Sequence, residues 1–343
     1  MMKLTIKEIA DMAGVSVTTV SQILNNKGSR FSEQTRQKVQ AVVKEYDYKP
    51  DYFASNIITR HSKTIGMVVP DVTDFFFSKV IEGVETYLNS LGYMILLCNS
   101  KHDEEQAAKY VEELVHRSVD GIIFATPNIL SVDHILRDTN KRKVPAILVD
   151  RGINTRENGR LIVKEYEGAY QAVSFLIEQG HKHIAMLKEN EGYYKLTERV
   201  TAYQHALKDH GIPVKEEYMS SGDLNLGGGY EAAKKVLENP EITAIFCGND
   251  EMAMGAYQAI EASGKKIPED ISIIGFDGLE ISEYLVPGLT TVYQPTFDIG
   301  FYAAKFLVES INHPEKKIPN KIFDTTFILR NSTKCIDNLA NMI

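Results

Sequence analysis

The chain has 343 residues, 43% of them hydrophobic and 24% charged, with three cysteines, no tryptophan and a formal net charge of −8. That balance fits a globular chain of two or three domains and excludes a collagen, a low-complexity tail and a disulfide-stapled miniprotein. No apolar run reaches the roughly 18 residues of a membrane span, Met1 to Ala10 holds no signal-peptide core, and Cys98, Cys247 and Cys335 are scattered, so a cytoplasmic chain with reduced, buried thiols is expected.

The charge is uneven along the chain. Residues 1–60 carry nine Lys/Arg and six Asp/Glu, net +3, which leaves −11 on the remainder. A mildly basic head on an acidic body hints at an anionic partner for the head.

The head opens with Ile6, Ile9, Ala10 and Ala13 on a helical stripe, which Gly14 breaks. Ser16 then caps a second helix running to about Leu24, with Val20, Ile23 and Leu24 inward and Val17, Thr18, Ser21 and Gln22 outward. Two short helices across a tight turn have the spacing of a helix-turn-helix, in which the start of the second helix meets base edges. A third helix, capped by Ser32, places Val39, Val42, Val43 and Tyr46 on one face. A three-helix cap on the larger domain is the alternative. Against it, Thr18, Thr19, Ser21, Asn25 and Asn26 are small hydrogen-bonding groups suited to phosphates and base edges. After Pro50, Asp51 to Thr59 reads as a nine-residue helix with Ala54 and Ile57 on one face, too short to persist alone. It is either a partner-dependent wedge for a minor groove or an ordinary linker.

From Thr64 onward, apolar runs alternate with amphipathic stretches. The runs are 65–69, 93–98, 121–125, 146–149, 184–187, 244–247 and 271–276, and the helical patterns 78–91, 104–116, 168–179, 200–210, 229–237 and 251–262. Such alternation means α/β architecture with parallel sheets covered on both faces, and this many units suggests two doubly wound lobes. Asp71, Asp150, Arg151, Asn249, Asp250 and Asp277 fall at strand ends, where such folds bind ligands. Each could equally cap the next helix, but recurrence at four ends favours a pocket. Little supports an enzyme: Gly227 to Gly229 lack the Lys-Ser/Thr of a phosphate loop, no Gly-x-Gly-x-x-Gly follows the first strand, and no catalytic triad assembles. His181 and His183 are expected to cap a helix or sit at the surface, with no metal or other cofactor.

The head closely resembles that of the LacI/GalR family of bacterial regulators, through Thr5 to Ala10, Ala13 to Ser16, Thr19 to Ser21, Leu24-Asn25, Ser32, Thr35-Arg36, Val39, Tyr48, Pro50 and Ala54. The body resembles the same family through Pro70-Asp71, Phe76-Phe77, Asp120 to Ile123, Asp150-Arg151, Gly180-His181, Arg199, Asn249-Asp250, Gly275 to Asp277, Leu289 to Thr291, Gln294 and Arg330. The resemblance implies a helix-turn-helix domain with hinge helix over 1–60 (hinge 51–60). It implies a body over 61–343 similar to periplasmic sugar-binding proteins, with an N-lobe of about 64–163 and 293–325 and a C-lobe of about 164–292 and 326–336. It implies base contacts from Val17, Thr18 and Gln22, phosphate contacts from Ser16, Thr19, Ser21 and Asn25, further DNA contacts from Thr5, Ser32, Thr35 and Tyr48, and a wedge of Ala54 and Ile57. For the effector it implies Asp71, Phe76, Phe77, Asp150, Arg151, Arg199, Asn249, Asp277 and Gln294.

Three head positions depart from the family pattern: Gln22 where Arg or Lys is frequent, Asp51 for Asn, and Ile57 for Leu. Glutamine pairs with adenine and arginine with guanine, so an A·T preference is expected at one position per half-site. Where many members place an aromatic platform, this chain has Leu224, which favours a pentose or hexose, free or phosphorylated, over a purine. The expected function is therefore a repressor of a carbohydrate-utilisation operon. It binds a palindromic operator as a homodimer, since no heptads follow Arg330, and a sugar in the cleft controls it allosterically. A stand-alone sugar receptor and a regulator served by a protein corepressor are the alternatives.

Overall fold

The computed structural model describes residues 4–24, 28–49, 61–125, 144–150, 159–190 and 197–336. The chain divides into two compact units between Ser62 and Lys63.

The first unit is three helices, α1 (Ile6–Ala13), α2 (Val17–Leu24) and α3 (Glu33–Glu45). Gly14 ends α1 in the left-handed region at φ 65°, which lets its N–H and that of Val15 return to Asp11 and Ala10 carbonyls. Ile9, Ala10, Ala13, Val20, Ile23 and Val39 form the core, with Val42, Val43 and Tyr48 packed on it. Tyr46, expected on that face, is instead the C-cap of α3 and 47% exposed; the chain turns there, and Tyr48 takes the inward place. The expected hinge helix, with Asp51, Ala54 and Ile57, and the residues Asn25 and Asn26 lie outside the described residues.

The second unit holds two six-stranded sheets. The N-lobe contains β1 (Thr64–Val69), α4 (Phe75–Ser90), β2 (Met94–Asn99), α5 (Glu104–His116), β3 (Gly121–Ala125), β4 (Ala146–Asp150) and β5 (Arg160–Val163). The C-lobe follows with α6 (Glu165–Glu178), β6 (Ile184–Glu189), α7 (Thr197–Asp209), β7 (Met219–Gly222), α8 (Leu226–Leu237), β8 (Ala244–Cys247), α9 (Asp250–Ala262), β9 (Ser272–Asp277) and β10 (Thr290–Tyr293). The chain then returns to pack α10 (Thr296–Asn312) on α4 and to add β11 (Lys321–Phe323) to the N-lobe, and crosses back for β12 (Thr326–Ile328). Strand orders are β11-β5-β4-β3-β1-β2 and β12-β10-β9-β8-β6-β7. Among the described residues every strand pairing is parallel except that of β12 with β10.

The apolar runs form strands because both faces are covered. Ile65, Met67 and Val69 enter one hydrophobic layer and Val68 the other, as the two-residue period of a strand requires. In the C-lobe, Ala185 and Leu187 face one layer and Ile184 and Met186 its opposite. Several helices begin earlier than their apolar stripes because a polar cap precedes them: Asp74 accepts from the Phe76 N–H and starts α4 at Phe75. His181 is a correction to expectation: it is buried, with Nδ1 2.9 Å from Thr243 Oγ1 and Nε2 3.1 Å from the Lys334 carbonyl, and burial lowers its pKa. Cys335, expected to be buried, is exposed.

The α4–α10 pair brings two backbones into close approach at Gly83 and Gly300. A Cβ on Gly300 would stand 2.0 Å from the Val80 carbonyl oxygen, and one on Gly83 2.1 Å from that of Phe297. Gly300→Ala therefore has to force the helices apart, and should lower the stability of the body by about 2 kcal/mol or more in denaturant unfolding.

Candidate functional site

In the head, the outward residues of α2 are held by a hydroxyl cap. Ser16 Oγ accepts from the Thr19 N–H at 3.1 Å and lies 2.9 Å from Thr19 Oγ1. Ser32 and Thr35 repeat the arrangement at α3, at 3.2 and 2.9 Å. Thr5 and Glu8 form a capping box at α1, in which Thr5 donates to Glu8 Oε2 at 2.6 Å and holds that carboxyl below its ordinary pKa. Helix N-termini dressed this way present N–H groups and hydroxyls to an anion. Val17 and Thr18 are exposed and Ser21 and Gln22 half-buried, a stripe of mixed apolar and hydrogen-bonding groups without bulk. Tyr48 is half-buried against the head core.

In the body, the expected effector residues separate into two groups. Arg199, Asn249, Asp277 and Gln294 are buried where the lobes join; Asp71 lies at the cleft mouth. Arg199, at the start of α7, has no solvent exposure. Its Nε and Nη2 donate to Glu165 Oε2 and Oε1 at 3.0 and 2.9 Å, its Nη1 donates to the Gly248 carbonyl, and its guanidinium lies 3.7 Å over the Phe276 ring. Asp277 Oδ1 accepts from Gln294 Nε2 at 2.6 Å and stands 3.7 Å from Arg199 Nη2. Gln294 Oε1 is buried and has no hydrogen-bond partner among the described residues. Asp277 has φ 121° and is followed by Gly278 at 70°, where a Cβ would meet Tyr293 Cα at 2.5 Å. Strain of this kind persists where surrounding contacts over-determine it, as at ligand sites.

Asn249 fulfils the bland expectation for a strand-end polar group. It caps α9 by accepting from the Met252 N–H at 2.8 Å, while its amide donates to the Leu224 carbonyl at 3.2 Å. Asp250 is a buried structural anchor, accepting from Leu279 N–H, Ser282 Oγ and Thr291 Oγ1, although burial still raises its pKa. Phe76 and Phe77 sit in the N-lobe core at 1% and 2% exposure; the exposed ring at the start of α4 is Phe75. Asp150 closes β4, and its side chain and Arg151 lie outside the described residues.

Two cavities flank this junction. One of about 730 Å³ is lined by Phe75, Lys79, Asp277, Tyr284, Tyr293 and Phe297 among others. The other, about 400 Å³, lies at the strand ends of both lobes and holds Asp71, Glu189, Asp223 and Leu224. Leu224 packs on the hydrophobic layers of both lobes. Across the opening, the Phe75 N–H donates to Glu251 Oε1 at 3.2 Å. Glu165 escaped the sequence reasoning. Its signal was a charge at the first position of the buried stripe Glu165, Gly168, Ala169 and Ala172.

A three-helix head with exposed capped helix starts and a two-lobed body with three crossovers are the two parts that comparison with known proteins also returns. Residues 5–51 match the model of bacterial regulatory proteins of the lacI family, and residues 62–330 that of periplasmic binding proteins and the sugar-binding domain of the LacI family. The chain belongs to the LacI family. It is 36% identical over 322 residues to the HTH-type transcriptional repressor PurR of Vibrio atlanticus, covering 93% of this chain and 95% of that one. It is 33% identical to a LacI-family regulator from Enterococcus faecium solved with bound ribose, covering 80% of this chain and all of the other, with a TM-score of 0.72. Against the lac repressor dimer bound to operator and the anti-inducer ONPF it is 25% identical over 97% of this chain and 100% of that one, with a TM-score of 0.88. This LacI-family protein is a transcriptional repressor with a DNA-binding and a ligand-binding domain; repressors of the family bind operators as dimers and answer to small-molecule effectors. Among the described residues, no helix of this repressor is long and apolar enough to cross a membrane, and no group of His, Cys, Asp and Glu could hold a metal ion.

Burial, then the neighbouring Glu165 and Glu167, pushes the Glu198 carboxyl from 4.5 up to about 7. A carboxyl raised on folding favours its protonated form, so the folded repressor loses stability as pH climbs from 4.5 through 7. Glu198→Gln should accordingly melt higher than wild type at pH 8, with the advantage vanishing below pH 4.5 in a series of thermal melts.

Proposed function

We propose that this repressor acts in the cytoplasm as a homodimer on a two-fold operator of a carbohydrate-utilisation operon, and that a small sugar, with a pentose of the ribose type fitting best, binds where its lobes join. The observation that carries the sugar is the Asp277–Gln294 pair, with one amide oxygen left unmet: a carboxylate and a carboxamide grip adjacent hydroxyls, one accepting and one both accepting and donating. Its likeness to a ribose-bound regulator supports the same reading. The likeness to PurR favours a purine instead. Leu224 weighs against that alternative, because an aliphatic chain gives no ring for a flat base to stack on.

Control is a population shift. A sugar held by residues of both lobes favours one inter-lobe angle, and that angle decides whether two hinge segments pair on DNA. Dimerisation is supported by β2, a sheet edge among the described residues, on which Met94 is 71% exposed, Leu96 40% and Leu97 44%. An apolar edge of that kind calls for a second chain.

Operator binding to the repressor's own upstream DNA, followed by gel shift against ribose, other aldoses, sugar phosphates and hypoxanthine, tests the effector. Ribose should change the shift; a response to hypoxanthine alone refutes the sugar, and no response to any of them points to a protein corepressor. In operator selection, Gln22→Arg should exchange adenine for guanine at one position of each half-site. Leu97→Glu should convert dimer to monomer in sedimentation and weaken operator binding with it.

A further inference from the structure

An arginine in an effector cleft is ordinarily the residue that welcomes an anion, since its planar fork matches carboxylate and phosphate in two parallel hydrogen bonds. In this repressor the fork is already filled. Glu165 occupies the Nε–Nη2 edge of Arg199 at 3.0 and 2.9 Å, and the Gly248 carbonyl takes Nη1. Both partners are essentially without solvent contact, at 0% and 1% side-chain exposure, so the pair cannot be loosened by water.

Charge on the remaining groups points the same way. Asp277 stands 3.7 Å from the same guanidinium, so Arg199 faces two carboxylates at the lobe junction. An anion brought there meets the Asp277 charge with the cation already compensated, and an uncompensated charge in a dry site is strongly disfavoured. A hydroxyl meets no such penalty. It can donate to the unmet Gln294 Oε1. The cleft mouth repeats the preference: Asp71, Asp74, Glu189, Asp223 and Glu251 line it against Lys101 and His102, a field that slows the entry of anions.

We infer that Glu165 is a specificity-determining positioning residue, which acts through Arg199 to make the effector site take an uncharged polyol and reject phosphorylated or carboxylated sugars. The inference rests on the sugar reading above and narrows it to the free sugar.

The test uses the purified full-length repressor, Glu165→Gln, which keeps one acceptor and removes the charge, and Glu165→Asp, which keeps the charge. Inorganic phosphate is the first probe, read as a shift of the melting temperature, because it needs no assumption about the sugar. Phosphate should leave wild type and Glu165→Asp unmoved and stabilise Glu165→Gln in proportion to its concentration. By calorimetry, ribose should bind wild type at least about tenfold more tightly than ribose 5-phosphate, and Glu165→Gln should narrow or invert that ratio by a similar factor. A merely structural role for Glu165 weakens both ligands alike and gives no gain for phosphate. Equal stabilisation of wild type and Glu165→Gln by phosphate, or tighter binding of ribose 5-phosphate to wild type, overturns the inference. If no sugar binds, the sugar reading fails, while the phosphate comparison still decides the role of Glu165.

Discussion

A guanidinium that no water reaches must be neutralised by the fold itself, and the burial of Arg199 sets the terms for everything around the lobe junction. Glu165 leads directly out of the first crossover, and Gln294 sits in the second, tied to Asp277 at the end of β9. Beside them Lys164 donates to Asp324 Oδ1 at 2.7 Å, joining the first crossover to the third. The Lys164–Asp324 pair is exposed, at 45% and 82%, whereas the set that ties the first two passages is dry. A dry ion pair resists partial separation, because half-broken contacts leave charge uncompensated on both sides. On the proposed reading, lobe movement at these passages would be a choice between discrete arrangements, as a switch requires.

In the head the same economy appears in hydroxyls. Ser16, Thr19, Ser32 and Thr35 each take part in a cap that starts a helix, and the same groups stand at the helix ends where a phosphate would dock. If these groups meet the DNA backbone as the family resemblance implies, capping the helix and docking a phosphate fall to the same side chains. Gln22 and Val17 cap nothing in the described contacts, so on the proposed reading sequence preference could change there at little cost in stability.

Much of the body was legible because a strand buried on both faces reads as an uninterrupted apolar run; the bounds of Gly121–Ala125 and Ala244–Cys247 coincide with those runs. Short strands did not show. Met219–Gly222, Lys321–Phe323 and Thr326–Ile328 are three or four residues long and carry Ser, Lys and Thr, and a pattern that brief has no period to detect. At the site, the residue types at strand ends were readable, but their employment was not. Nothing local distinguishes Asn249, a helix cap, from Asp277, a strained and buried carboxylate, and Phe75 is separated from buried Phe76 and Phe77 only by the helical phase that Asp74 sets. The Glu165–Arg199 pair spans 34 positions, and no sequence window brings its two halves together.

The order in which strands enter the two sheets has a bearing on how the chain is made. The N-lobe begins at Thr64, yet its packing helix Thr296–Asn312 and its last strand, Lys321–Phe323, are synthesised after almost the whole of the C-lobe. While the ribosome is still translating the middle of the message, the hydrophobic face that α10 will cover stays open on the nascent chain. The C-lobe in turn waits for Thr326–Ile328, so the two lobes reach completion within a few residues of each other. Chaperone occupancy and premature-stop damage should therefore both concentrate on the N-lobe, the part translated first and finished nearly last.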